Sequence, residues 1–181
     1  KPGTNVLAIL ITVAKKTHGL LDLIKLMGSF SLAGRAADEK EARAQNQTTA
    51  YRMVRPNDLV ESGWWTENGY PHYSGTGVFR KTFELDEKYK DKVLHLSVDC
   101  KEDILEVFVN GEKAGCRLWD PYALDLTPFV KAGRNTIELK ITNTLINLLE
   151  AVEKPSGFGK AAIQAFNRFD MVLNDPSDMV K

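Results

Sequence analysis

Leu94-His95-Leu96-Ser97-Val98-Asp99-Cys100, followed closely by Ile104-Leu105-Glu106-Val107-Phe108-Val109-Asn110-Gly111, is the stretch that decides the fold. Leu94, Leu96, Val98 and Cys100 alternate with His95, Ser97 and Asp99, the two-residue period of a strand with one buried face. Ile104–Val109 is a second β-rich run, and it ends at Asn110-Gly111, the pair that best tolerates the positive φ angles of a tight hairpin. Lys113–Leu118 is then the return strand. Downstream, Ile137, Leu139 and Ile141 alternate with Glu138, Lys140 and Thr142. Upstream, Val78–Leu85 and Tyr51–Val54 are further strand candidates. Ser74-Gly75-Thr76-Gly77, Asp120-Pro121, Thr127-Pro128 and Ala132-Gly133 supply the turns between them. Short strands punctuated in this way predict an all-β sandwich or barrel, with no βαβ units.

Composition agrees with that class and narrows the function. The chain has 181 residues, 43% of them hydrophobic and 27% charged, as in an ordinary globular protein. At this length roughly 70% of the unfolded surface can be buried, so neither a metal nor a disulfide staple is required. The 24 Lys and Arg balance the 24 Asp and Glu, which removes the electrostatic warrant for a nucleic-acid or acidic-membrane partner. No apolar run reaches the ~20 residues of a membrane span. Lys1-Pro2-Gly3 lacks the order of a secretory leader. Two Cys make no disulfide scaffold, and Cys100 and Cys116 are expected as free thiols. Ala36–Gln45 has helix-forming residues but no apolar stripe, so it reads as an exposed linker.

An internal repeat adds a second element of organisation. Lys1-Pro2-Gly3-Thr4-Asn5-Val6-Leu7 recurs as Lys131-Ala132-Gly133-Arg134-Asn135-Thr136-Ile137, and at the same offset Ile11-Thr12 matches Ile141-Thr142. Gly permits a tight turn, and Asn can bond its own backbone just before a strand begins. Val6–Val13 is apolar on both faces, the pattern of a strand covered on both sides.

Residues 63 to 149 carry a recognisable order of motifs. These are Gly63-Trp64-Trp65-Thr66, Gly69-Tyr70-Pro71-His72-Tyr73-Ser74-Gly75-Thr76-Gly77-Val78-Phe79-Arg80-Lys81, Val109-Asn110-Gly111, Trp119-Asp120-Pro121-Tyr122, Asp125-Leu126-Thr127, Gly133-x-Asn135, and Thr142-Asn143-Thr144-Leu145 with Asn147. The series resembles the galactose-binding-like jelly rolls of glycoside hydrolases. It is most similar to family 2 sugar-binding domains and to the C-terminal modules of family 106 α-L-rhamnosidase-like proteins. Leu26-Met27-Gly28-Ser29-Phe30-Ser31-Leu32 resembles an upstream Leu-Gly-Asp-Phe strand, with Ser29 in place of the Asp.

The resemblance implies a jelly-roll β-sandwich over residues 50–181. An exposed linker over 35–49 and the terminal strands of a preceding, partial sandwich over 1–34 would come before it. It also implies an ancillary carbohydrate-binding module, with other domains of a glycoside hydrolase as partners and an extracellular or periplasmic location. Incomplete sandwich strands would also allow a dimer.

Candidate chemistry follows from side-chain types. Glycoside hydrolysis needs two carboxyl groups facing across a cleft. The acids nearest the motifs are Glu67, Glu102, Asp103, Asp120 and Asp125, and they form no recognisable pair, so no catalytic residue is assigned. Asp125 reads as a turn brace, and Glu102-Asp103 as a solvated connection. The three His at 18, 72 and 95 fit no zinc or nucleophile motif. No metal ligands or cofactor are assigned, although spacing leaves structural calcium open. Aromatic rings in turns suit the apolar faces of sugars. Trp65, Tyr70 and Tyr73 are expected as exposed rings, with Glu67 and His72 beside them; Trp119 and Tyr122 are expected in the core or an interface. Asn143 and Asn147 read as backbone braces. Two alternatives stand beside the binding module: a glycosidase fragment lending Glu67 to an active site, and a structural spacer.

Overall fold

The computed structural model describes residues 3, 5–20, 24–34, 51–57, 60, 63–150 and 153–167. The strands are β1 (Ser31–Ala33), β2 (Arg52–Val54), β3 (Thr76–Leu85), β4 (Lys92–Cys100), β5 (Ile104–Val109), β6 (Glu112–Arg117), β7 (Ala123–Asp125), β8 (Gly133–Thr142) and β9 (Phe158–Asn167). A one-turn helix, α1 (Ile146–Leu149), joins β8 to β9. One antiparallel sheet has the order β3-β8-β5-β6 and a second the order β7-β4-β9, while β1 and β2 form a separate ribbon.

The alternation read from sequence is the inward face of this jelly-roll sandwich. Leu96, Val98 and Cys100 of β4, Leu105, Val107 and Val109 of β5, and Ile137, Leu139 and Ile141 of β8 are buried in one cluster. Tyr122, Leu124, Leu126 and Phe158 close it. Fully burying such side chains contributes about 1.5–3 kcal/mol each. Asn110 (φ +53°) and Gly111 (φ +87°) turn β5 into β6 with the two positive φ angles that the dipeptide predicts. Asn135 is buried. Its Oδ1 accepts the Lys131 N–H and its Nδ2 donates to the Lys131 and Gly133 carbonyls, so the Gly-x-Asn turn is built as read.

Several expectations are corrected. Val6–Val13 is not a strand in this structure: residues 6–13 pair with none of the described strands and their side chains are exposed. A strand exists only with a neighbour for its N–H and C=O groups, and none of the described strands offers one here. Ser31–Ala33 pairs with Arg52–Val54, and the Leu32 N–H donates to the Gly69 carbonyl at 2.8 Å, tying this segment to the jelly roll. Asp103 is buried, not solvated: its carboxylate accepts the Gly157 N–H at 3.1 Å and its carbonyl accepts the Tyr122 hydroxyl at 2.7 Å. Cys100 is buried and Cys116 half-buried, and both are free. The linker 35–49, including Ala36–Gln45, lies outside the described residues.

Candidate functional site

The aromatic segment between residues 63 and 76 caps one end of the sandwich. Trp64 pairs with Gly157 in an isolated antiparallel bridge, and the Trp65 N–H donates to the Ser156 carbonyl at 3.0 Å. The chain then turns tightly: the Asn68 and Tyr70 N–H groups both donate to the Trp65 carbonyl, and Asn68 Nδ2 donates to the Trp64 carbonyl. Gly69, at φ +93°, makes the close approach to Leu32 that a side chain would strain.

Asn143 fastens this segment to the sheet. Its Oδ1 accepts the Gly75 N–H at 2.9 Å, and its Nδ2 donates to the Tyr73 carbonyl at 2.8 Å and to Ser156 Oγ at 3.1 Å. Asn147, fully buried, does the same for Lys154, accepting its N–H and donating to its carbonyl. Both Asn are backbone braces, as read from sequence. Asp125 is one too, accepting the Thr127 N–H at 2.9 Å.

Two concavities result. A groove of about 600 Å³ runs between the Leu26–Phe30 segment with Tyr51 and Met53 on one side, and Tyr70, His72 and Tyr73 on the other. A smaller cavity of about 390 Å³ is lined by Trp65, Tyr70, Tyr73, Gly77 and Phe79. Tyr70 and Tyr73 border both, edge to face at 6.2 Å. The Tyr70 hydroxyl donates to the Asn57 carbonyl at 3.0 Å, and Tyr51 meets the His72 ring edge-on at 6.0 Å. Among the described residues, His72 Nδ1 and Trp65 Nε1 are buried with no hydrogen-bond partner. An unmet buried polar atom costs about 1–3 kcal/mol.

Three of the five candidate residues therefore meet in one groove. Trp65 was expected to be exposed but is 3% accessible: its ring stacks on Phe79 and it belongs to the core cluster. Glu67 is exposed in the turn and borders neither concavity. Trp119, expected in the core or an interface, is 71% accessible, whereas Tyr122 is buried. A tryptophan beside a turn carries no periodic signal, so sequence could not sort these two apart. The Leu26–Phe30 and Tyr51–Met53 wall was also missed as part of a site, because its apolar residues signal packing alone.

Three groups at this end of the sandwich have displaced proton affinities. Burial pushes the Asp103 carboxyl up to about 6, against the opposing pull of the Gly157 N–H and the Lys154 cation. Burial also pushes the Cys100 thiol up to about 12 and the Tyr122 phenol up to about 12. Asp103 borders neither concavity. Among the described residues, no three His, Cys, Asp or Glu side chains gather as metal ligands would, and no helix is long and apolar enough to cross a membrane.

Residues 64–148 match the model of the glycosyl hydrolases family 2, sugar binding domain. This stretch is a family 2 sugar-binding domain. A Formosa agariphila protein named "Putative beta-glucuronidase" is 34% identical over 125 residues, 67% of this chain and 11% of that protein. A second protein of the same organism and name is 30% identical over 81 residues, 44% of this chain and 8% of its own length. The chain thus spans about a tenth of the curated relatives it matches. Among solved structures, a rhamnosidase from Novosphingobium sp. PP1Y aligns with 84% of this chain and 16% of its own, at 23% identity and a TM-score of 0.46. A β-glucuronidase from Ruminococcus gnavus in complex with uronic deoxynojirimycin aligns with 77% of this chain and 28% of its own, at 15% identity and a TM-score of 0.46.

Proposed function

We propose that the sugar-binding domain acts as a non-catalytic carbohydrate-binding module of a multidomain glycoside hydrolase, with the larger groove as its seat. The observation that carries this reading is the convergence of Tyr70, His72 and Tyr73 on one concavity. A tyrosine ring offers an apolar face to the C–H side of a sugar, and its hydroxyl offers a polar edge. His72, lining the same groove, adds a polar ring beside the two tyrosines. The groove is open, so affinity falls in the high-micromolar to millimolar range, about 4–6 kcal/mol. The other domains of the parent hydrolase are the protein partners, and the parent's chemistry resides in them.

The test is calorimetric titration of the chain against a saccharide panel that includes glucuronic-acid glycans, the sugar class named in its relatives. Binding that weakens at least fivefold in both Tyr73→Ala and His72→Ala, with unchanged melting, supports the reading. No heat with any saccharide would leave the domain a structural spacer. Turnover of an aryl glycoside by this chain, abolished in Glu67→Gln, would make it part of an active site instead.

A further inference from the structure

The repeat noted in the sequence has a geometric counterpart. Gly3 stands on Gly133, Asn5 on Asn135, Leu7 on Ile137, Ile11 on Ile141 and Thr12 on Thr142. Gly133 has φ +82° and Gly3 has φ +98°. Asn135 Nδ2 donates to the Gly133 carbonyl at 2.9 Å, and Asn5 Nδ2 donates to the Gly3 carbonyl at 2.9 Å. The turn that launches β8 is therefore formed a second time, ahead of residues 6–13, which pair with none of the described strands.

In β8 that turn leads into a central strand, flanked by β3 on one edge and β5 on the other, with Ile137, Leu139 and Ile141 facing the core. The matching register positions hold Leu7, Ile9 and Ile11. Between them β8 carries Thr136, Glu138 and Lys140, whereas the N-terminal copy carries Val6, Ala8 and Leu10. Val6 is 90% and Leu10 97% accessible here. Leaving so many large apolar side chains in water forfeits the burial that each could contribute. The seat such a strand needs is already filled in this sandwich by β8 itself, and equally so in a second copy of the chain.

We propose that residues 5–13 are the β8-equivalent, central strand of a second jelly-roll sandwich, which lies N-terminal to this one in the parent polypeptide. Leu7, Ile9 and Ile11 complete its core, and Val6, Ala8 and Leu10 pack its outer face under a further layer, since a strand apolar on both faces is covered on both. The partner is thus a sandwich of the same type whose central β8-equivalent position this strand fills. The inference stands independently of sugar binding.

Hydrogen exchange read by mass spectrometry tests it on the intact product of the parent gene and on this 181-residue chain. Peptides covering residues 5–13 should exchange at least ~100-fold more slowly in the parent, matching peptides from β8, because a central strand has both edges bonded. In the parent, Ile9→Asp should abolish that protection while peptides from β3 to β9 keep theirs. Equal, fast exchange of residues 5–13 in both proteins would overturn the proposal, including the case in which the gene adds nothing ahead of Lys1. So would Ile9→Asp deprotecting β3 to β9 as well, which would place the segment against this jelly roll.

Discussion

The indole of Trp65 lies parallel to the ring of Phe79, 6° between their planes and 6.5 Å between centroids, and Phe79 in turn meets Phe158 edge-on at 4.9 Å. The aromatic segment is thus anchored in the core by one ring, while Tyr73, three-fifths covered, is left at the surface. Trp65→Ala should cost about 3–5 kcal/mol, the range for truncating a buried large aromatic. Trp119→Ala should change stability by less than about 0.5 kcal/mol, as expected for an exposed side chain. Urea unfolding of the two variants reads both values, and the reverse order would contradict the burial of Trp65 and the exposure of Trp119.

Asn143→Ala removes two hydrogen bonds from the loop that carries Tyr73 and a third to Ser156. The expected loss is about 1–3 kcal/mol, because the Gly75 N–H is left unmet in a part-buried position. Proteolysis between residues 66 and 75 should accelerate in this variant before global unfolding does, as limited digestion would show.

Asp103 makes stability depend on pH in an unusual direction for a carboxylate. Its folded pKa of about 6 lies above the ordinary carboxyl value of 3.8, so between those values the folded state holds the proton more tightly. The stabilisation from the protonated carboxyl is fully present below pH 3.8 and lost as pH rises through about 6. From pH 4 to pH 7 the loss is ~3 kcal/mol at most. Asp103→Asn should remove this dependence. Denaturant midpoints at pH 4.5 and 7 measure it, and wild type should gain on the variant at the lower pH.

Cys100 is buried, and burial holds its thiol protonated, with a pKa near 12. Iodoacetamide should label the half-buried Cys116 first in the native protein, and both thiols only after unfolding. Peptide mapping of a time course would show the order; early Cys100 labelling would contradict the packing.

The strands whose two faces differ chemically were legible from sequence, and those held only by their neighbours were not. Leu94 to Cys100 and Ile137 to Ile141 alternate because one side meets the core and the other meets water. β9 reads Phe158-Gly-Lys-Ala-Ala-Ile-Gln-Ala-Phe-Asn167, with small residues and no period. Its strand state comes from pairing with β4 along nearly its whole length, a tertiary contact that local pattern does not encode. In the site, Tyr70, His72 and Tyr73 could be chosen because rings in a turn-rich segment have no strand interior to fill. Trp65 sits in the same kind of segment, yet it is buried. Gly77, where a side chain would come within 2.6 Å of the Trp65 ring, is what admits it, and that relation joins residues on different elements.

The Asn143 brace also decides where new ligand preferences could arise. One side chain holds Tyr73, Gly75 and Ser156 together, so a change on that side of the groove is felt in the sheet end as well. The opposite wall, Leu26 to Phe30 with Met53, consists largely of exposed apolar side chains. Substitutions there can widen, narrow or charge the groove at little cost to the sandwich. Descendants of this domain would therefore diversify along that wall and keep the asparagine.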